Sequence, residues 1–264
     1  MTYSPTAHPL TFTEAGERQL KQVLQVSTLS KSFGAITVAD QVDLNVARGE
    51  CVGVIGPNGA GKSSLFNLIA GSLQPDQGKV IVNGKDVTRL PAHKRVSFGI
   101  GRAFQIPQPF LGLTVYENVL SAAANGAGLR GKKLASYTCE VLERTGLTDK
   151  GNILAGSLTL LDRKNLELAK AVATRADLLM LDEIGAGLTE REVARLVDRI
   201  RELKQDHAII WIEHIAHALK SVADRIVVLN FGKLILDGEP EEVMNSAVVR
   251  EIYMGLKADE STGS

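Results

Sequence analysis

The spacing of apolar residues changes along this chain, and each change predicts a different element. Val23-Leu24-Gln25-Val26 and Val42-Asp43-Leu44-Asn45-Val46 alternate apolar and polar positions, the pattern of half-buried strands in an antiparallel layer. Val80-Ile81-Val82 followed by Asn83-Gly84 reads as a strand entering a hairpin turn. Further on, Leu178-Leu179-Met180-Leu181, Ala208–Ile212 and residues 225–229 are continuous apolar runs bounded by charged or glycine positions. Such runs predict parallel strands buried on both faces. Helical patterns over 162–174, 190–205 and about 215–223 separate them, which predicts a doubly wound α/β core. Between about 106 and 157 strand signals vanish. Helical patterns at 114–124 and 132–145 dominate there, around a glycine-rich loop at 125–131. The expectation is one domain over 21–256 with a helical subdomain inserted at about 106–157, and weakly ordered tails at 1–20 and 257–264.

Composition narrows the function classes. The 264 residues suffice for one large α/β domain or two small ones, and 44% hydrophobic content supports a core. Basic and acidic residues balance at 30 each. No basic field is available for nucleic acid and no polybasic run for anionic lipid. The first residues lack the basic start and apolar stretch of a signal peptide. No run of 18 apolar residues exists, so membrane association is expected only through a partner. The two cysteines, Cys51 in a strand and Cys139 in a helix, read as unpaired and fit a reducing compartment.

The candidate chemistry begins after the apolar run Cys51-Val52-Gly53-Val54-Ile55. Gly56-Pro57-Asn58-Gly59-Ala60-Gly61-Lys62-Ser63 is a full G-x-x-x-x-G-K-[ST] phosphate-binding loop, and Ser64-Leu65-Phe66 opens a helix behind it. The glycines let backbone N–H groups turn onto phosphate oxygens where a Cβ would block them. The helix N-terminus adds positive potential at that spot. Lys62 is assigned to the β/γ-phosphates of ATP and Ser63 to Mg²⁺. Downstream, four apolar residues carry Asp182-Glu183 to the end of a buried strand. Asp182 can then hold Mg²⁺ directly or through water, and Glu183 can polarise the attacking water.

With these two motifs the chain resembles the ATP-binding cassette (ABC) family over nearly all of residues 21–256. The resemblance implies an α/β P-loop NTPase (RecA-like) core with an antiparallel β layer and an inserted helical subdomain. It implies that Phe33 stacks on adenine, that Gln105 joins Mg²⁺ to the helical subdomain, and that His214 contacts the γ-phosphate. It implies too that Ala186-Gly187-Leu188-Thr189 crosses a dimer interface. The stretch Phe98-Gly99-Ile100-Gly101-Arg102-Ala103-Phe104-Gln105, with Leu113-Thr114-Val115-Tyr116-Glu117-Asn118-Val119, is similar to the branched-chain amino-acid importer ATPases, a pattern shared with amide and urea importers.

The chain departs from the family at the signature segment, which usually reads close to Leu-Ser-Gly-Gly-Gln. Here it reads Leu158-Thr159-Leu160-Leu161-Asp162. Thr159 keeps the hydroxyl, and Thr159-x-x-Asp162 predicts a capping box. Leu161 is expected to crowd the partner's γ-phosphate, at about 1–2 kcal/mol if that position needs positive φ. Asp162 is expected to bring negative charge toward an anion. Ile184 replaces a usual proline, and Thr189 a usual Asp or Asn.

The resemblance implies an ATP-hydrolysing importer subunit, cytoplasmic and peripheral on the inner face of the membrane. Its partners would be a second cassette, with a heterodimer favoured, transmembrane permease subunits and, indirectly, a solute-binding protein. Two other readings stay open. One is a regulatory or weakly hydrolysing cassette, which intact Glu183 and His214 oppose. The other is a soluble ABC ATPase outside transport, which the lack of coiled-coil insertions and zinc motifs opposes.

Overall fold

The computed structural model describes residues 21–254; the tails expected at 1–20 and 257–264 lie outside the described residues. Two long strands, β1 (Gln22–Phe33) and β2 (Ile36–Ala47), form an antiparallel hairpin. The chain then enters β3 (Cys51–Ile55), passes through the glycine loop and starts α1 (Lys62–Ala70). Strands β4 (Gln77–Val82) and β5 (Lys85–Asp86) turn at Asn83-Gly84 and complete a four-stranded sheet in the order β2-β1-β4-β5. This is the antiparallel layer that the alternating pattern predicts.

After a short helix α2 (Ala92–Arg95) comes β6 (Ile100–Ala103), then α3 (Val115–Gly126), α4 (Gly131–Arg144) and α5 (Leu160–Ala173). The core resumes with β7 (Leu178–Asp182), α6 (Glu190–Lys204), β8 (Ala208–Ile212), α7 (Ala216–Val222), β9 (Arg225–Asn230) and β10 (Lys233–Gly238). Helices α8 (Pro240–Asn245) and α9 (Ala247–Met254) follow. The second sheet has the order β10-β9-β3-β8-β7-β6, parallel except for the β9–β10 pair.

Several expected boundaries shift. The glycine loop at 125–131 shortens to 127–130, because α3 runs on through Gly126, where a Cβ would sit 2.6 Å from Thr174. Strands β6 and β10 carry no strong apolar run. β6 holds Gly101 and Arg102, which weaken its strand signal. Gly101 is required nonetheless: a Cβ there would lie 2.7 Å from the Ala171 carbonyl of α5.

Hydrophobic burial drives the layering. Leu65, Phe66, Leu68 and Ile69 of α1 are sealed between the two sheets with Val26, Val80, Val54 and Met180. The other face of the parallel sheet packs Trp211, Leu179 and Leu181 against Leu166, Leu196 and Ile200 of the helices. Arg95, fully buried, closes the C-terminal end of α1. Its guanidinium donates to the carbonyls of Leu68 (2.7 Å), Ile69 (2.8 Å), Thr88 (2.7 Å) and Leu90 (2.8 Å). Cationic donors at a helix C-terminus satisfy orphan carbonyls and offset the helix dipole. Burial pushes this guanidinium down to about 10. The helix that carries the glycine loop is thus fixed at its far end.

Candidate functional site

Residues 56–61 form the turn between β3 and α1, and close backbone contact explains its glycines. A Cβ on Gly56 would lie 2.1 Å from the Leu229 carbonyl oxygen, and one on Gly61 would lie 2.4 Å from that of Val38. Gly61 has φ 104° and is the N-cap of α1, with no side chain capping it. The first N–H groups of α1 therefore stay available to an anion. Pro57 is half-buried, Asn58 and Gly59 are exposed, and Ala60 is buried. Lys62 is 7% exposed and donates to the Gly56 (2.7 Å) and Pro57 (3.0 Å) carbonyls. Burial lowers its pKa from the usual lysine range, against the pull of Glu183 and Asp182. Ser63 is exposed and Ser64 half-buried in the first turn of α1.

Residues far apart in sequence meet beside this turn. Glu183 follows β7 in a left-handed conformation, φ 44°. A non-glycine residue there stores about 1–3 kcal/mol of strain, an arrangement frequent at functional sites. Its carboxylate accepts from Gln105 Nε2 at 2.5 Å and lies 3.0 Å from His214 Nε2. Asp182 is buried and accepts from Arg102 Nη2 at 2.6 Å. Phe33 ends β1 half-exposed, with the Lys31 ammonium 5.3 Å from its ring centroid.

Three further groups brace the site, and the motif reading did not single them out. Glu213 is buried and takes the backbone N–H groups of Gly185 and His214, both at 2.9 Å. It ties the turn after Glu183 to the turn that bears His214. Lys164, on α5, is buried and donates to the Gln105 carbonyl. Burial lowers its pKa despite Glu213, Glu183, Glu167 and Asp182 nearby. Arg102 is the third. For Glu213 and Arg102 the signal available in the sequence was a charged residue inside or beside a strand otherwise apolar or small; Lys164, on α5, carried no such signal.

The residue types fit a hard divalent cation. Ser63, Gln105 and Asp182 offer hydroxyl, amide and carboxylate oxygens, the donor set Mg²⁺ takes. Among the described residues no group of three or more His, Cys, Asp or Glu is placed to hold a metal ion by itself.

The signature segment departs from expectation. Leu161 lies inside α5, does not have positive φ and is 8% exposed. Its side chain turns into the protein instead of crowding a phosphate, because it occupies the inward-facing position of the first helical turn. The exposed residue is Leu160, against which a Cβ on Gly187 would sit 3.2 Å away. Asp162 is buried too, and its charge is met by Lys150 of the same chain. Only half of the expected capping box forms. Thr159 Oγ1 accepts from the Asp162 N–H (3.3 Å) and donates to Asp162 Oδ2 (2.6 Å). The other two departures have local reasons. Ile184 is fully buried in the helical-side core, and Thr189 caps α6 in a complete capping box with Glu192.

The ABC transporter family profile matches residues 39–186. The branched-chain amino acid transport ATP-binding protein BraF of Pseudomonas aeruginosa is 35% identical, over 89% of this chain and 98% of its own length. The lipopolysaccharide export ATP-binding protein LptB of Haemophilus influenzae is 32% identical, over 88% of this chain and 97% of its own. Among solved structures, an ATP-binding cassette of an ABC transporter in its ADP conformation superposes with a TM-score of 0.82. It is 29% identical and covers 89% of this chain and 99% of its own.

Proposed function

The chain belongs to the ABC transporter family of ATP-binding cassettes, and from that premise we propose that it is the ATPase subunit of an importer for branched-chain amino acids or related amides or urea. One observation carries the reading: Gln105, Glu183 and His214 converge within hydrogen-bond reach beside the open N-terminus of α1. In this reading Phe33 stacks on adenine and the loop from Gly56 to Gly61 cradles the phosphates. Lys62 leaves its own loop carbonyls for the β/γ-phosphates, and Ser64 adds a hydroxyl in the first turn. Glu183 orients the attacking water and accepts its proton, and His214 exchanges its Glu183 contact for the γ-phosphate. Ser63, Gln105 and Asp182 would hold Mg²⁺, which when bound offsets charge on the β- and γ-phosphate oxygens.

No helix among the described residues is long and apolar enough to cross a membrane. In this reading the chain attaches to the inner membrane face through permease subunits. A groove of about 310 Å³ supports that docking, lined by Ala70, His93, Phe104, Ala122 and Ala171 between α1, α2, β6, α3 and α5. Ile106, Phe110 and Leu111, in the segment after Phe104, are exposed apolar side chains as well. The solute-binding protein would act on the permease, not on this chain.

The second cassette is proposed to be a different chain. The N-terminus of α5 is closed by Thr159, Asp162 and Lys150, so two copies would pair two poor signatures. ATP turnover tests this. The full chain alone should hydrolyse slowly, and adding permease and a cassette with a Leu-Ser-Gly-Gly-Gln-like segment should raise the rate and drive uptake of labelled leucine. Brisk turnover by the chain alone, unchanged in Leu160→Gly, would refute the heterodimer.

A further inference from the structure

Arg102 stands where two parts of the molecule meet. In the sheet register it pairs with Met180, and Asp182 is two residues further along the neighbouring strand, on the same face. That face is the one covered by α1. One guanidinium nitrogen donates to Asp182 Oδ2 at 2.6 Å and another to Asn67 Oδ1 at 2.8 Å. Asn67 is four residues after Ser63 on α1, hence on the same helix face one turn below it. The guanidinium thus lies beneath the gap between Ser63 and Asp182. Two rings hold it there, Phe66 at 5.7 Å and Phe104 at 4.8 Å from the guanidinium carbon. It is 13% exposed, and Asp182 11%.

A buried pair of this kind does not separate readily, since either charge alone would be left uncompensated. Only one carboxylate oxygen is engaged. Oδ1 takes no hydrogen bond from any described residue. Arg102 lies in the strand that leads to Gln105, itself bonded to Glu183. It also lines, with Phe104, the apolar groove between the core and the helices.

We propose that Arg102 is a positioning residue for the metal carboxylate: it holds Asp182 Oδ2 so that Oδ1 faces a divalent cation beside Ser63, and Phe104 keeps it in place. The inference rests on the Mg²⁺–ATP reading above and adds a residue to it.

The test is binding of a non-hydrolysable ATP analogue to the full chain, first in EDTA and then against rising Mg²⁺, with Mn²⁺ occupancy read by EPR. Arg102→Gln should leave the affinity in EDTA within about twofold and raise the half-saturating Mg²⁺ about tenfold or more, as losing a partner behind a metal ligand does. Arg102→Lys should restore part of the loss, since it keeps the charge and loses the planar fork. Phe104→Ala should shift Mg²⁺ in the same direction by less. An unchanged or lowered half-saturating Mg²⁺ in folded Arg102→Gln overturns the proposal. So does an equal loss with and without metal, which would mark a purely structural role. If Arg102→Gln loses its far-UV circular dichroism, Asn67→Ala and Phe104→Ala decide by the same measure. A wild-type chain that takes up no analogue in either medium would instead defeat the nucleotide reading beneath the proposal.

Discussion

Helix α1 begins at Gly61 with no capping side chain and no acid in its first turn, whereas α5 begins at Thr159 with a hydroxyl cap, a buried Asp162 and the Lys150 ammonium closed over it. Both N-termini fall in segments where the family places a phosphate. Only the first keeps its N–H groups for a ligand. The second spends its polar groups within the chain and presents Leu160 outward. The difference teaches that a helix N-terminus is an anion seat only when its own sequence leaves it uncapped. In the proposed pairing, this chain would provide one strong half-site and one weak one.

The comparison breaks first at Glu183. If the α1 end is where hydrolysis occurs, Glu183→Gln should lower turnover of the assembled complex by ~10²–10⁴-fold, the contribution of a positioned base, and leave ATP binding intact. Single-turnover kinetics on the complex checks this; an unchanged rate would move hydrolysis away from this loop.

The α5 end is sharpened by two neighbouring leucines. Leu161→Ala should cost about 2–3 kcal/mol of stability, since it empties a buried position. Leu160→Ala should cost less than about 0.5 kcal/mol, as surface changes do. Urea unfolding of the two variants distinguishes them, and equal losses would contradict the inward turn of Leu161.

At the α1 end, Lys62→Ala removes a charge-assisted phosphate contact, worth about 1.5–3 kcal/mol of ATP binding. Calorimetry should show affinity falling by roughly 10- to 150-fold. Leu160→Gly should leave this chain's own ATP affinity unchanged, because in the proposed pairing α5 faces the partner's nucleotide.

The smallest effect is on pH. Burial lowers the Lys62 pKa, so its neutral fraction grows at a pH below the ordinary lysine value. The phosphate contact needs the charged form. ATP affinity should therefore decline as pH rises toward the lowered value, sooner than for an exposed lysine, and be fully present below it. The bound phosphates oppose the shift and keep it small. Titrating binding from pH 7 upward should show the decline, and Lys62→Arg, which stays charged, should flatten it.

Much of the molecule was legible before any coordinates. Alternating and continuous apolar runs separated the antiparallel hairpin from the parallel strands, because one-sided and two-sided burial leave different periods. The glycine loop was legible because its motif is one contiguous stretch, although the backbone that a Cβ on Gly56 or Gly61 would meet, at Leu229 and Val38, is brought there by the fold. The caps at Thr114 and Thr189 carry equally local signals, a hydroxyl three residues before Glu117 and Glu192, which the sequence reading passed over. Tertiary structure decided the rest. Strand β6 is short and holds glycine and arginine, so only its pairing with β7 makes it a strand. That Leu161 points in and Leu160 out depends on the rotation of α5 against the core. Asp162 finds Lys150, and Asp182 finds Arg102, across loops and sheets that no sequence spacing encodes. Periodicity reports which faces are buried; which charges meet is set by how those faces pack, and the partners of Asp182, Glu183 and His214 belong to that second kind of information.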